Sequence, residues 1–168
     1  MKKIEELQRY FNFTKSDLEE NIKGRVTEGQ KAMLKEKLQK EIIMIVGLFL
    51  VMGVIGLIIL PSNKFFLVTM AVGFVVTLIG RITIKRDHSL DYAEGPVNFF
   101  WEEHKIRDAE NYNNYTTTRK LKMKVGSKSF DVREDLMDIL DQGDNCCFYF
   151  TGGGDIVSAE YLGKPENE

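Results

Sequence analysis

Chemistry in this 168-residue chain would have to come from two thiols, two imidazoles, a glycine run and clustered charges. The thiols, Cys146 and Cys147, are adjacent, and adjacent strand residues point to opposite faces, so they suit neither an ordinary structural disulfide nor a shared site. No Cys-x-x-Cys or Cys/His spacing indicates zinc. Of the two histidines, His88 and His104, the second ends the run Trp101-Glu102-Glu103-His104, which lacks the His-Glu-x-x-His register of a zinc protease. A cysteine nucleophile would need a base such as His104, and no spacing brings them together. Gly152 to Gly154 lacks the GxxxxGK[ST] arrangement and lies between two predicted strands, so no helix N-terminus faces an anion. Asp131, Glu134, Asp135, Asp138, Asp141 and Asp144 lack the register of a calcium loop and read as the solvated acidic face of a short helix. The expectation is a protein with no catalytic residues, no cofactor and no metal.

The remaining chemistry is basic and aromatic. Arg119, Lys120, Lys122, Lys124 and Lys128 form a local cluster, with Trp101 and Tyr149 as possible aromatic platforms. Arg119, Lys120, Lys122, Lys124 and Trp101 are the candidate contacts for an anionic lipid headgroup or a partner. Alternating lysines are also what the wet face of a strand looks like. Residues 85–168 carry 11 basic and 17 acidic side chains, a net of −6, which argues against general nucleic-acid binding.

The elements that must position these residues fall into three parts. From Ile42 to Leu60 the chain reads IIMIVGLFLVMGVIGLIIL, without a charge. At 1.5 Å per residue these span roughly 28 Å, close to the hydrocarbon thickness of a bilayer. A second apolar run, Phe65 to Gly80, continues through Arg81 to Ile84, since an arginine near a helix end can snorkel to the headgroups. The four residues 61–64, Pro-Ser-Asn-Lys, join the runs, so residues 42–84 read as a hairpin of two transmembrane helices, 42–60 and 65–84. Lys31, Lys35, Lys37 and Lys40 precede it and Arg81, Lys85 and Arg86 end it, which predicts an integral membrane protein with both termini cytoplasmic. Neither run contains Asp, Glu, His, Asn or Gln, which argues against a channel or pump. Gly53 and Gly56 in the first run, with Thr69, Gly73 and Thr77 in the second, are the candidate helix-packing positions.

Before the hairpin, residues 1–41 read as a cytoplasmic amphipathic helical segment. Ile4, Leu7, Tyr10 and Phe11 make an apolar stripe. Thr14 with Asp17, and Thr27 with Gln30, are capping boxes opening two further helices, the first stopped by Gly24 and the second running on from about Glu28 into the membrane span. The stretch carrying Asp17, Leu18, Asn21, Gly24, Arg25, Thr27 and Gln30 resembles a segment of small bacterial two-helix membrane proteins. In these an Asp-Leu and an Asn-x-x-Gly-Arg precede a Ser/Thr-x-x-Gln and a transmembrane hairpin. The resemblance implies the hairpin and no established activity.

After it, residues 85–162 read as a small cytoplasmic β domain, a bent sheet or barrel with one short helix, followed by a mobile tail at 163–168. Val97, Phe99 and Trp101 alternate, and Leu121, Met123 and Val125 alternate with lysines. Gly126-Ser127 turns into a short strand through Phe130, REDLMDILDQG reads as a helix with Leu136, Ile139 and Leu140 inward, and CCFYFT and DIVSAEYL form a last pair. The expected function is a non-enzymatic, membrane-anchored interaction protein, an accessory subunit or scaffold whose partners are the bilayer and other membrane subunits or itself. The alternative is a tethered sensor whose β domain binds a lipid headgroup or small ligand.

Overall fold

A computed structural model describes residues 2–59, 68, 72, 73, 75, 89–107 and 115–164. It divides into two compact units, one made of residues 1–26 and 89–168, the other of 27–88. The N-terminal helices therefore belong to the β unit and not to a separate segment ending at residue 41.

The first unit opens with α1 (Lys2–Phe11) and α2 (Lys15–Ile22). Asn12 takes a left-handed φ of 55° to end α1, a conformation asparagine tolerates. The Thr14 hydroxyl accepts from the Asp17 N–H at 3.1 Å, and the Asp17 carboxylate accepts the Thr14 N–H at 2.9 Å, completing the expected capping box. Gly24, at φ 74°, stops α2.

Five antiparallel strands follow: β1 (Leu90–Arg107), β2 (Tyr115–Val125), β3 (Lys128–Asp131), β4 (Asn145–Thr151) and β5 (Ile156–Gly163), in the order β3-β2-β1-β4-β5. The expected C-terminal β domain is therefore present. β1 is long because it serves two partners. Residues 90–96 pair with β4, and residues 97–107 pair with β2. The division falls at Gly95-Pro96, where Gly95 has a φ of 143° and proline supplies no N–H. The β2–β3 turn nests against this bend: a Cβ on Gly126 would lie 3.1 Å from the Glu94 carbonyl.

Beyond Pro96 the side of β1 that β4 vacates is taken by the loop before β4. Val97 N–H donates to the Asp144 carbonyl (2.9 Å), Gly143 N–H to the Val97 carbonyl (2.8 Å), and Phe99 N–H to the Gln142 side-chain oxygen (2.8 Å). This is why the expected helix at 133–143 is only a 3₁₀ turn, Glu134–Asp138. Gly143 spends its N–H on β1 and Asp141 spends its own on the Asp144 carboxylate, so neither is available to an i−4 carbonyl. Leu136 and Leu140 still point inward, at 0% and 1% exposure.

The core lies inside this fold. Leu7 and Phe13 join Val97, Met123, Val125, Phe130, Leu136, Leu140, Cys146, Phe148, Phe150 and Ala159 in one cluster. Phe11 meets Phe148 edge-on at 5.9 Å, and Phe130 meets Phe150 at 5.1 Å. On the opposite face of β5, Ser158 donates to the Asn21 side chain at 2.6 Å, so α2 reaches the side of the edge strand that α1 does not.

The second unit contains α3 (Glu28–Ile59), 32 residues without a break. Thr27 and Gln30 cap it as expected, the hydroxyl accepting at 3.3 Å and the Thr27 N–H donating back at 3.2 Å. The two-helix membrane hairpin is corrected here. Among the described residues one helix is long and apolar enough to cross a membrane, Glu28–Ile55. The first run is the distal part of a helix that begins well before Ile42. The second run, expected at 65–84, supplies no such helix among the described residues. The turn 61–64 and most of 65–84 lie outside the described residues. Val68, Val72, Gly73 and Val75 are helical.

One ion pair joins α1 to the loop before β4. Lys3 Nζ lies 2.6 Å from Asp144 and 2.9 Å from Asp141, and the Asp144 side chain is 1% exposed. Asp144 also accepts from the Asp141 N–H (2.9 Å) and the Tyr161 hydroxyl (3.3 Å). Burial alone would lower the Lys3 pKa, but the hydrogen bonds it donates to Asp144 and Asp141 outweigh that and the pKa is raised. Replacing Lys3 by Met leaves a buried carboxylate without its cation. The expected loss is about 2–3 kcal/mol, below the ~3–5 of a fully buried pair because Lys3 is partly exposed. Thermal unfolding of the full chain in mild detergent, followed by circular dichroism, measures it.

The same contact sets an acid limit. Hydrogen bonds from Lys3 and Lys164 hold the Asp141 carboxyl below its usual 3.8. A depressed carboxylate stabilises above the unfolded pKa and loses that contribution as pH falls through the folded one. Asp141→Asn is therefore expected to flatten the decline in melting temperature below about pH 4 while leaving the neutral-to-alkaline profile unchanged in shape. An unaltered acid limb would refute this.

Candidate functional site

The β unit carries a cleft of about 680 Å³. Its apolar wall is Tyr10 and Phe11 from the last turn of α1, Trp101 from β1, Leu121 from β2, Val132 just after β3 and Ile156 at the start of β5. Charged groups rim it: Arg119, Lys120 and Arg133 against Asp131, Glu134 and Asp155.

Strand register explains who faces the cleft. Trp101 stands opposite Leu121, and Glu103 opposite Arg119, so all four share the face that also carries the core pairs Phe99–Met123 and Val97–Val125. The core ends before Trp101, which remains 46% exposed. Arg119 is braced across the strands by Glu103, at 2.8 Å. Arg133 lies over the Tyr10 ring, 4.8 Å from its centroid, and pairs with Asp135 at 3.2 Å. Its backbone N–H donates to the Tyr10 hydroxyl at 3.0 Å. Gly154 closes the far side in the β4–β5 turn, its N–H donating to the Thr151 carbonyl at 2.7 Å.

The expected basic contact set is thus divided between two faces. Arg119 and Trp101 are on the cleft face. Lys120, Lys122 and Lys124 alternate onto the other, opposite Glu102, Phe100 and Asn98. Lys122 is neutralised there by Asp131 at 2.7 Å and Glu102 at 3.4 Å; the hydrogen bond to Asp131 raises its pKa most and holds the Asp131 carboxyl down. Tyr149 is not an exposed platform but lies in β4, 9% exposed and 6.4 Å from Tyr92.

The helix-packing candidates belong to the second unit. Gly53 is buried and Gly56 lies within α3. A Cβ on Gly73 would sit 3.5 Å from that of Phe49, an ordinary contact distance, so the spacing there does not itself require glycine. Thr69 and Thr77 lie outside the described residues.

The cysteine and histidine groups are far apart. Cys146 and Cys147 stand opposite Gly95 and Glu94, whereas His104 is nine residues further along β1, 3.0 Å from Glu102. Both thiols are free and buried. Burial pushes Cys146 up to about 12, with Asp144 adding to the effect, and burial likewise raises Cys147. Among the described residues no group of three His, Cys, Asp or Glu side chains could hold a metal ion.

Sequence reasoning missed two features. Asp144 was grouped with solvated carboxylates, yet it is the buried one, and its place beside Asn145-Cys-Cys-Phe, at the entrance to an apolar strand, is the signal that separates it. The cleft draws on α1, and the Tyr10-Phe11 pair ending an amphipathic helix marks an apolar end that needs a partner surface.

Compared with known proteins, the chain matches no family model, no curated protein and no solved structure.

Protonated, buried thiols are poor nucleophiles. Iodoacetamide at pH 8 is therefore expected to leave Cys146 and Cys147 unmodified in the folded chain and to label both after denaturation, as counted by intact mass. Rapid labelling of either thiol in the native protein would contradict the assigned burial.

Proposed function

We propose that the chain is a non-enzymatic, membrane-anchored interaction protein, an accessory subunit or scaffold that meets its partner through the β unit. The observation that carries this reading is the contrast between the two units. α3 presents apolar side chains on all sides from Ile42 onward, with Ile43, Met44 and Leu48 each more than 60% exposed, which a helix tolerates in lipid and not in water. The β unit, by contrast, has a complete core, an ion-paired surface and an aromatic cleft.

The same contrast supports one orientation. Residues 1–26 and 89–168 form one folded unit, separate from the unit that contains α3. Lys31, Lys35, Lys37 and Lys40 near the start of α3 favour the cytoplasmic side. Non-enzymatic binding is favoured because Arg119, Arg133 and Asp131 at the cleft are each ion-paired, with Glu103, Asp135 and Lys122, and no activated nucleophile lies among the described cleft residues.

The chain is expected to stay with membranes through alkaline carbonate washing and to co-purify with another protein in mild detergent. Leu48→Arg with Val51→Arg costs about 2.5–3.5 kcal/mol each at a helix centre and is expected to shift the chain to the soluble fraction. Retention of the double variant would remove the anchor. Isolation of the wild type alone, with nothing crosslinked to it in cells, would remove the interaction.

A further inference from the structure

The two strands beside the cleft differ in length. β2 begins at Tyr115, but β3 pairs with it only from Lys122 to Val125. Val132 adds one more rung, its N–H donating to the Leu121 carbonyl at 3.2 Å, and the chain then leaves as Arg133 turns to the Tyr10 hydroxyl. Backbone groups in an antiparallel pair point alternately to the two neighbours. Since the Leu121 carbonyl points toward β3, the N–H and C=O groups of Arg119 and Thr117 point to that same side. Among the described residues no strand pairs with them there. This open edge runs directly along the rim of the cleft.

The geometry points to strand addition at this edge: an extended, acidic segment of a partner protein pairs antiparallel to Thr117–Arg119 and sets an apolar side chain into the cleft beside Trp101. Main-chain pairing supplies affinity and alternate side chains supply specificity, the general mode of β-augmentation. The incoming residue opposite Arg119 faces the cleft, where Tyr10, Phe11, Trp101 and Val132 offer an apolar wall. The residue opposite Thr118 faces the other way, diagonal to Lys120. Lys120 has no ion pair among the described residues, because the two carboxylates near it, Glu102 across the strands and Asp131, are both taken by Lys122, so an incoming acidic side chain finds its ammonium available. Charge also disfavours a second copy of this chain as the occupant. Pairing two β2 edges would gather Arg119 and Lys120 of both copies in one short ribbon, a like-charge arrangement that costs stability.

This inference rests on the interaction reading and specifies its site. Trp101 is the chain's single tryptophan, so its emission reports on the cleft directly. The full chain in lipid nanodiscs is titrated with an acetylated hexapeptide of alternating phenylalanine and glutamate. The expected result is a saturable blue shift of Trp101, with slowed hydrogen exchange at the Thr117 and Arg119 amides. The same peptide with a central proline, which cannot complete the ladder, should give neither. Lys120→Glu should weaken the glutamate peptide by about tenfold and transfer the preference to the lysine counterpart.

A lack of saturable shift at any soluble peptide concentration overturns the proposal. So does unchanged exchange at both amides, or a Lys120→Glu variant with the wild-type preference. Co-purification from native membranes separates the two levels. If a partner accompanies wild type and Lys120→Glu equally, the edge is wrong and the interaction reading stands. If none accompanies the wild type, both fall.

Discussion

The architecture depends on a buried carboxylate meeting a lysine from the other end of the chain. Asp144 and Lys3 are separated by 141 positions, and closing so long a loop costs about 4 kcal/mol of chain entropy by the (3/2)RT ln n rule. The ion pair cannot supply that alone, because desolvating the carboxylate offsets most of its Coulombic gain. Leu7 and Phe13 do, since each fully buried large side chain is worth about 1.5–3 kcal/mol. The pair sets register instead. It places α1 so that Leu7 enters the core and Tyr10 and Phe11 come to its end, where they wall the cleft.

The same carboxylate organises the loop that lets β1 change partners. Its side chain takes the Asp141 N–H, and its own carbonyl takes the Val97 N–H at the point where β4 stops. With Gln142 and Gly143 continuing the pairing, the strand's polar backbone stays satisfied through a bend that Gly95 and Pro96 impose. Asp144 is not interchangeable with the exposed acids before it, because it alone among them is buried while accepting from Lys3, Tyr161 and the Asp141 N–H.

Local signals were legible in the sequence and long-range ones were not. Both capping boxes, the Gly24 stop, the unbroken helix from Glu28 and all five strands follow from rules that act within a few residues: cap chemistry, period-2 alternation and turn glycines. The helix expected at 133–143 failed because its periodicity was real but its backbone donors were claimed from outside, by β1 and by Asp144. Residues 1–26 were assigned to a separate segment because an amphipathic helix announces that it has an apolar face without saying what covers it. The two-helix reading of 42–84 leaned on hydropathy, run length, turn residues and flanking charge, all of which are local and none of which says whether a second apolar run forms a continuous spanning helix. In the site, the alternation of lysines along β2 was visible, but not where the strand's inner face stops being core: Arg119 and Lys120 point to opposite faces and still meet at the cleft rim, because the cleft opens at the uncovered edge of β2.

Why an edge is left open beside the cleft follows from the length of β3. Natural sheets protect edges with short strands, lysines or a covering element, and this fold uses each of these where it can. β5 is covered by α1 and α2, and β3 is four residues long and carries Lys128. The unpaired half of β2 has charge but no covering strand among the described residues, and the apolar wall at its foot is the part of the inner face that the core does not reach. Extending β3 by two residues would have covered both, but it would have displaced the 3₁₀ turn that sends Leu136 into the core and draws the loop toward Asp144. The open edge is therefore a consequence of the contacts that hold the two ends of the unit together, and a partner strand can occupy it without disturbing them.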